Sequence, residues 1–266
     1  MAKHGCRDSS IDVRGLSHSY GTLRVLKEVS FKVAAGEFVG IVGANGSGKT
    51  TLLNCVSGIL GPTGGIIRVC GKEVRTTDSM EMARSVAIVP QESSDNFAFT
   101  VEEMVLMGRY AHIERFSFEE ERDHEAAEHA MKATGTWKLR ERSVTELSGG
   151  EKRRVIIARA LAQEPRVMLL DEPTSHLDLR HQLEILGLIR EQNGRKGLTV
   201  LAVFHDLNLA ARFCDRLLIM DSGRITASGA PGEVLTRENI AHAFRVDANV
   251  ATNAAGRVVV DVGDIT

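Results

Sequence analysis

The chain has 266 residues, 43% of them hydrophobic and 26% charged, which allows one large domain with a sizeable core and argues against disorder. Lysine and arginine total 33 against 35 aspartate and glutamate, and the formal net charge of −2 argues against a nucleic-acid binder held by bulk electrostatics. The four cysteines lack metal-ligand spacing, residues 1–10 lack a secretory apolar segment, and no apolar run approaches the ~20 residues of a membrane span.

Residues 11–33 alternate between apolar and polar side chains, and Gly15 and Gly21 interrupt them. This pattern predicts short antiparallel strands. Tyr20, one of only two tyrosines, lies in this segment. Its ring could pack in the core, or it could offer a flat face on which an adenine base stacks, and the pattern fits both roles.

A glycine-rich segment, G-A-N-G-S-G-K-T at 43–50, follows an apolar run at 38–42. The apolar residues after it that fall on one helical face are Leu52, Val56, Ile59 and Leu60. The pattern therefore predicts a strand, a glycine loop and a helix. Glycines let backbone N–H groups wrap around an anion, and the helix adds the positive end of its dipole. We expect Lys49 to reach the terminal phosphates of a nucleotide and Thr50 to bind Mg²⁺.

A strand predicted at 86–89 ends at Pro90 and Gln91. The carboxyl ends of parallel strands form the ligand-binding edge of an α/β sheet. The amide of Gln91 could contact Mg²⁺ or an attacking water at that edge, although an ordinary loop glutamine also fits.

Residues 92–163 lose the strand pattern, and helical patterns cover 101–107, 119–131 and 155–161, so we predict a helical subdomain inserted between strands. The charged run 119–123 is expected to be a solvated helix face. Near the end of this region, Ser148, Gly149 and Gly150 precede the amphipathic run 153–161. They could form a second anion-binding helix terminus or simply cap a helix.

Two buried strands are predicted to end in polar side chains. The apolar run 167–170 leads directly into Asp171 and Glu172, and the run 198–204 ends at His205. Adjacent carboxylates at the end of a buried strand are unfavourable unless a cation or a proton transfer uses them. Asp171 suits the Mg²⁺ side of a nucleotide site, and Glu172 suits a general base that polarises water. His205 could hydrogen-bond a γ-phosphate, or it could be structural.

The rest of the chain predicts a helix at 207–213 and two strands, 216–220 and 224–227, joined by a turn at 221–223. A helix starts at Pro231, and a small hairpin pairs 245–250 with 258–262.

Together these motifs resemble the ATP-binding subunit of ABC transporters over nearly the whole chain. The segments that carry the similarity are Tyr20 (A-loop), 43–50 (Walker A), Gln91 (Q-loop), 147–151 (signature), 167–172 (Walker B), 175–178 (D-loop) and His205 (switch histidine). The resemblance implies an α/β P-loop NTPase fold with a RecA-like core, an N-terminal antiparallel β subdomain and an inserted α-helical subdomain. It also implies one ABC ATPase domain over 1–266, divided into 1–91 with 164–235, the helical part 92–163 and a C-terminal extension 236–266.

The resemblance also implies the site. It assigns catalysis to Glu172, His205 and Gln91, and Mg²⁺ binding to Thr50, Gln91 and Asp171. The residues that it implies for ATP binding are Tyr20, Gly43, Asn45, Gly46, Ser47, Gly48, Lys49, Thr50, Thr51, Ser148, Gly149, Gly150 and Asp178. Two copies of the chain would face each other head to tail, with each ATP between the glycine loop of one copy and residues 148–150 of the other.

A closer similarity is to the ATPases of importers for ferric siderophores, haem and cobalamin. It is carried by 205–211, 214–216, 221–224, 229–236, and by 107–109 after 99–103. It implies a translocase-class ATPase at the cytoplasmic face of the inner membrane, bound to a polytopic permease and acting indirectly with a solute-binding protein, without nucleic acid. The alternatives are a soluble ABC ATPase of the iron–sulfur assembly type and a transporter, including an exporter, of another solute class.

Three details complete these expectations. We expect the permease to contact the cleft near Gln91 through residues such as Phe97, Phe99 and Val101. Arg153 stands where the family often has glutamine, which could affect a ribose contact across the dimer but not the phosphate site. His176 replaces a small D-loop residue and could alter communication between the subunits.

Overall fold

The structure is a computed structural model that describes residues 9–91, 98–114 and 117–265. The strands in these ranges are β1 (Ile11–Tyr20), β2 (Leu23–Val33), β3 (Phe38–Val42), β4 (Gly64–Val69), β5 (Lys72–Glu73), β6 (Val86–Val89), β7 (Val167–Asp171), β8 (Thr199–Val203), β9 (Arg216–Asp221), β10 (Arg224–Gly229), β11 (Val246–Thr252) and β12 (Val258–Ile265). The helices are α1 (Lys49–Ser57), α2 (Ser79–Ala83), α3 (Val101–Leu106), α4 (Glu121–Ala133), α5 (Gly149–Ala162), α6 (Leu179–Lys196), α7 (Leu207–Phe213), α8 (Pro231–Val234) and α9 (Arg237–Phe244). None of these helices is long and apolar enough to span a membrane.

A six-stranded sheet in the order β10-β9-β3-β8-β7-β6 forms the centre of the fold. Strands β9, β3, β8, β7 and β6 are parallel, and β10 runs antiparallel to β9. Every residue of β3, β7 and β8 is buried, as continuous apolar runs in parallel strands predict. The carboxyl ends of β3, β6, β7 and β8 therefore lie along the same edge of the sheet.

The two faces of this sheet pack against different layers. Ile41, Leu169 and Leu201 share a core with α1 and with a second, antiparallel sheet in the order β2-β1-β4-β5. Met168 and Leu170 pack on the opposite face against apolar side chains of α5, α6 and α7. The α/β core with an N-terminal antiparallel β subdomain is thus confirmed.

Helices α3, α4 and α5 pack against one another and form the predicted helical part. Their shared core includes Val105, Met131 and Ile157, which are fully buried. Helix α5 begins at Gly149, earlier than the amphipathic run at 153–161 alone indicates. The helical subdomain is confirmed as part of the fold class, whereas its limits at 92–163 and the other domain boundaries stay predictions.

The predicted C-terminal hairpin is present, because β11 pairs with β12 in antiparallel register, with Val250 opposite Val260. The side chain of Asn208, on α7, joins it to the main fold. Its Nδ2 donates to the Val260 carbonyl at 3.0 Å, and its Oδ1 accepts from the Val260 N–H at 2.8 Å. The C-terminal segment is therefore attached to the helix that follows His205.

One expectation about a helix is wrong, and a second holds only in part. Helix α1 ends at Ser57, because Gly58 adopts a left-handed conformation with φ of 85°, so Ile59 lies beyond the helix and is 63% exposed.

The second concerns the charged run 119–123. Helix α4 begins within it, and residues 119–122 are exposed as predicted, whereas Asp123 is buried. Its Oδ1 accepts a hydrogen bond from Nε of the buried Arg109 at 2.9 Å, so an ion pair compensates the burial of the carboxylate.

Candidate functional site

The segment 43–48 connects β3 to α1, and its backbone packs closely against neighbouring residues. Gly43 has φ of 157°, and a Cβ there would lie 2.2 Å from the Met220 carbonyl oxygen. Gly48 precedes α1 with φ of 101°, which favours glycine. The first N–H groups of α1 have no partner within the helix, so the loop and the helix terminus together can bind an anion.

Lys49, the first residue of α1, is 6% exposed. Its Nζ donates to the carbonyl oxygens of Gly43 at 2.9 Å and Ala44 at 3.0 Å, so the ammonium group lies over the loop. Burial lowers the pKa of Lys49, and the charges of Glu172 and Asp171 oppose that shift. The hydroxyl of Ser47 is buried and has no hydrogen-bond partner among the described residues. Both groups are suited to a phosphate that supplies acceptor oxygens.

Thr50 and Asp171 lie together beside this loop. The Thr50 hydroxyl donates to Oδ1 of Asp171 at 3.3 Å, and Asp171 is 8% exposed. Burial raises the pKa of Asp171, and the charge of Glu172 raises it further. A nearby cation would relieve this unfavourable burial of charge.

These two residues fit a Mg²⁺ site that phosphate completes. Mg²⁺ is commonly held by one or two carboxylates together with substrate phosphates and water. Within 9–91, 98–114 and 117–265, no group of three or more His, Cys, Asp or Glu could hold a metal ion by itself. The hydroxyl of Thr50 and the carboxylate of Asp171 would therefore contribute to a site shared with phosphate oxygens.

Glu172 lies between two further predicted site residues. Its Oε2 accepts from Nε2 of Gln91 at 2.7 Å, and its Oε1 lies 2.5 Å from Nε2 of His205. The three side chains come from the segments that follow β6, β7 and β8, so the parallel sheet brings them together. Glu172 itself has φ of 46°, a conformation that is unfavourable for residues other than glycine.

These side chains face a cleft of about 540 Å³, a size typical of small-molecule sites. The predicted site residues that line it are Asn45, Gly46, Gly48, Lys49, Thr50, Thr51, Gln91, Glu172 and His205. Leu23 and Val25 add an apolar wall. The cleft thus combines a phosphate-binding loop, a carboxylate and two orienting groups.

Tyr20 ends β1, close in the chain to the apolar wall of the cleft. Its side chain is half exposed, so it is not a core residue. The ring makes an edge-to-face contact with His18, with 4.8 Å between the ring centroids. One face of the aromatic ring could stack on a base.

Within the part of the chain that the structure describes, the signature residues Ser148, Gly149 and Gly150 are not among those that line the cleft. Ser148 caps α5, since its Oγ accepts from the backbone N–H of Glu151 at 3.4 Å. In return, the N–H and the hydroxyl of Ser148 donate to Oε2 of Glu151, at 2.9 and 2.8 Å. Ser148 and Gly149 are exposed, whereas Gly150 is buried against His181. Residues 148 and 149 therefore lie at the surface and can reach a ligand held by another molecule.

Asp178 also lies outside the lining of that cleft. It caps α6, and its Oδ1 accepts from the backbone N–H of His181 at 2.9 Å and lies 2.8 Å from Nδ1 of the same residue. The exposed His176 adopts φ of 61° between Glu172 and this cap.

One expectation about an individual residue is wrong. Val101 is fully buried at the start of α3 and cannot form part of a docking surface, whereas Phe99 is 36% exposed. Phe97 lies outside the described residues.

Arg153 is 7% exposed, and its guanidinium points into its own chain, toward the backbone carbonyls of Pro173 and Pro90. Its effect on a ribose contact across a dimer stays a prediction. Arg153 is the functional candidate whose position the sequence analysis missed. It lies between the charged residues Lys152 and Arg154, so its position in the sequence gave no signal that it is buried.

A glycine loop between a buried strand and a helix, with acidic, amide and imidazole groups at neighbouring strand ends, defines a P-loop nucleotide-binding fold. Residues 26–175 match the ABC transporter family (ABC_tran). The chain belongs to this family.

Relatives of the chain include importer subunits. It is 42% identical to the cobalamin import ATP-binding protein BtuD of Halobacterium salinarum over 94% of this chain, but spans only 63% of that protein's length. It is 40% identical to the hemin import ATP-binding protein HmuV of Bordetella avium, over 91% of this chain and 94% of the relative.

Solved structures show the same fold. A metal-chelate type ABC transporter in an inward-facing conformation superposes with a TM-score of 0.85 at 29% identity, over 97% of this chain and 98% of the other. A dimeric post-hydrolysis state of the ATP-binding cassette MJ0796, bound to ADP and Pi, superposes with a TM-score of 0.72 at 29% identity, over 83% and 98%.

Proposed function

We propose that the chain binds and hydrolyses ATP to drive an ABC importer, with a metal chelate of the ferric siderophore, haem or cobalamin type as cargo. The observation that carries the hydrolytic part is the convergence of Gln91, Glu172 and His205 beside the glycine loop and Lys49. A phosphoryl transfer needs positioned charge around the γ-phosphate and a group that orients the attacking water, and these residues supply both.

Binding would begin at the loop. Backbone N–H groups of 43–48 and the ammonium of Lys49 hold the β- and γ-phosphates, and the face of Tyr20 stacks on the adenine. Thr50, Asp171 and Gln91 would hold Mg²⁺, which neutralises phosphate charge when it is bound. Asn45, Gly46, Ser47, Gly48 and Thr51 complete the phosphate side of the site.

Hydrolysis would use the carboxylate of Glu172 as the base that polarises water. Gln91 and His205 already bond its two oxygens, and each can exchange that bond for one to the water or to the γ-phosphate. The imidazole and the amide therefore orient the water and the base in the same small volume, which is the main requirement of this chemistry.

The site would be completed by a second copy of the chain. Ser148 and Gly149 are exposed at the N-terminus of α5, and together with Gly150 they would bind the γ-phosphate on the partner's glycine loop. Asp178 would lie at the same interface. The similar cassette that was solved as a dimer with bound ADP and Pi supports a dimeric active species. Closure would then depend on the triphosphate, because hydrolysis removes the group that both subunits contact.

The transport part rests on the relatives. The names of two relatives describe import of cobalamin and hemin, and the solved neighbour with the TM-score of 0.85 is described as a transporter of metal-chelate type. This chain would therefore bind a polytopic permease at the cytoplasmic face of the inner membrane and act indirectly with a solute-binding protein. Exposed Phe99 is a candidate for the permease contact.

Two measurements test the proposal. Phosphate release from Mg²⁺-ATP should require Glu172 and should rise more steeply than linearly with protein concentration, because the active species is a dimer. Proteoliposomes that contain the chain with the permease copurified from solubilised membranes should then take up one of ferric siderophore, haemin or cobalamin, delivered by its binding protein. Copurification with iron–sulfur assembly proteins in place of a permease would overturn the transport part and leave the ATPase part standing.

A further inference from the structure

Arg153 is a buried cation in the interior of the signature helix α5. Burial lowers its pKa to about 10, which leaves the guanidinium charged at neutral pH. The hydrogen bonds described for this side chain all end on backbone carbonyl oxygens. They run from Nε to Pro173 at 2.8 Å, from Nη1 to Pro90 at 2.7 Å and Gln91 at 3.3 Å, and from Nη2 to Asp171 at 3.4 Å and Glu172 at 3.2 Å.

These carbonyl groups belong to the two segments that carry the proposed catalytic side chains. Pro90 and Gln91 follow β6, whereas the other three follow or end β7. One planar guanidinium therefore fixes the spacing between the backbone of Gln91 and that of Glu172. A planar fork of five N–H donors is suited to such bridging, whereas a lysine ammonium is a compact charge with three donors on one nitrogen and cannot span the two segments in the same way.

The backbone of Glu172 needs this support. Its φ of 46° is unfavourable for a residue with a side chain and persists only where neighbouring contacts hold it. Its carbonyl oxygen accepts bonds from Arg153 and also from the N–H and hydroxyl of Ser175, at 3.2 and 3.1 Å. Arg153 is thus the contact that connects this strained residue to α5.

Helix α5 carries the buried Arg153 and, at its N-terminus, residues that are exposed at the protein surface. It starts at the cap Ser148 and runs as one continuous helix through Arg153, which lies five residues later. The inference rests on the proposed function, because only in a head-to-tail dimer does the exposed start of α5 meet the partner's nucleotide. The same helix then contacts one ATP at its N-terminus and the catalytic segments of the other site through Arg153.

We propose that Arg153 is a positioning residue that couples the two ATP sites of the dimer. Movement of α5 toward the γ-phosphate in the partner's site shifts the guanidinium, which moves the backbone of Gln91 and Glu172 in its own site. Each site then becomes competent when the other holds ATP.

The test measures ATP hydrolysis by the full-length dimer as a function of ATP concentration. The variants are Arg153→Gln and Arg153→Lys, and the matched control is Arg154→Gln. Arg154 is the next residue on the same helix, and its side chain pairs with Glu184 on α6. We expect the wild type and the control to show a Hill coefficient near the limit of two that two coupled sites allow.

Both Arg153 variants should lower the Hill coefficient toward one and lower kcat by about 10- to 100-fold, the effect typical of a small misplacement of catalytic groups. The Kd of ATP for the isolated chain should stay within about twofold, because no phosphate-binding group changes. Arg153→Lys keeps the buried positive charge, so it serves as the folded variant if Arg153→Gln has a lowered unfolding temperature.

The outcomes separate the two proposals. A wild-type chain that stays monomeric with ATP and shows no cooperativity would overturn the proposed dimeric function. A cooperative wild type with a folded Arg153 variant of unchanged Hill coefficient would overturn the coupling role, even if kcat fell, because Arg153 would then act only within its own site.

Discussion

Nε2 of His205 lies 2.5 Å from Oε1 of Glu172, and the Gln91 amide occupies the other carboxylate oxygen. The carboxylate is therefore held on both sides by groups from neighbouring strand ends. Such an arrangement orients Glu172 before a substrate arrives and makes its chemistry dependent on the side chains around it, which is a form of preorganisation.

The first prediction concerns Glu172→Gln. The substitution keeps the shape of the side chain and removes its basicity, so ATP hydrolysis should fall by about 100- to 10,000-fold, the range for loss of a general base. The Kd of ATP should stay within about twofold, since the groups that hold the phosphates are unchanged. Phosphate release and nucleotide titration measure the two effects, and size-exclusion chromatography should show a dimer that persists with ATP.

The control for Glu172→Gln is Glu184→Gln, at a surface ion pair. Turnover by Glu172→Gln at the wild-type rate would exclude Glu172 as the base.

The fold could be predicted in large part because the strongest signals are local. The run 167–170 is apolar throughout and ends in acids, and it forms the buried strand β7 with Asp171 at its end. The pairing of β11 with β12 follows from two alternating segments around a turn. Convergence of Gln91, Glu172 and His205 followed from a general property of parallel sheets, namely that their carboxyl ends share an edge.

The sequence did not reveal whether a polar side chain on a helix faces the solvent or the interior of the protein. Asp123 and Arg153 each lie in charged or mixed surroundings along the chain, and both are buried by partners far away in sequence, Arg109 and the backbone after β6 and β7. Periodicity does not encode those partners. The prediction that Ile59 lies on helix α1 was wrong for a different reason. The apolar pattern of the helix continues past Gly58, but Gly58 ends the helix.

A second prediction addresses the exposed start of α5 through Gly149→Leu. Among the described residues outside its own helical turn, no atom lies within 4 Å of a Cβ placed at Gly149, so the larger side chain should leave the unfolding temperature within about two degrees of the wild type, as for a neutral surface change. In the dimer it would project toward the partner's γ-phosphate, and hydrolysis should fall by about 100-fold or more. Thermal unfolding and phosphate release at saturating ATP measure both quantities.

The matched control is Gly187→Leu on α6, because no described atom outside the nearby helix backbone lies within 4 Å of a Cβ placed there either. Undiminished hydrolysis by Gly149→Leu would exclude the head-to-tail contact.

A third prediction concerns the half-exposed ring of Tyr20. Tyr20→Ala should weaken ATP binding by about 10-fold, since stacking of a base on an aromatic side chain contributes about 1–3 kcal/mol. Tyr20→Phe keeps the flat face and should bind ATP with a Kd near that of the wild type. Titration with a fluorescent ATP analogue measures the change, and inorganic triphosphate, which has no base, should bind equally to all three proteins. An equal loss of triphosphate affinity in Tyr20→Ala would show that the ring supports the fold of the loop and not the base.

The last prediction concerns the buried pair of Arg109 and Asp123 in the helical part. Asp123→Asn removes the buried carboxylate that pairs with Arg109 and leaves the guanidinium with only the more exposed Glu164, 2.8 Å from Nη1, so the free energy of unfolding should fall by about 2 kcal/mol. Urea unfolding at pH 7 measures it. The control is Glu128→Gln, which removes an exposed pair with Lys132 on the same helix and should have no measurable effect.

The pH dependence of this difference follows from the pKa of Asp123. Burial raises that pKa, but hydrogen bonds from the Glu120 N–H and from Arg109, with the charge of Arg109, outweigh burial and hold it below its ordinary value. A carboxyl with a lowered pKa in the folded state stabilises the protein fully above its unfolded pKa of about 3.9, and this contribution is lost as the pH falls through the folded value. The difference in unfolding free energy between wild type and Asp123→Asn should therefore be constant from pH 8 to about pH 5 and shrink below about pH 4. A difference that stayed constant to pH 3 would mean that the packing of α4, and not the ionised carboxylate, accounts for the loss.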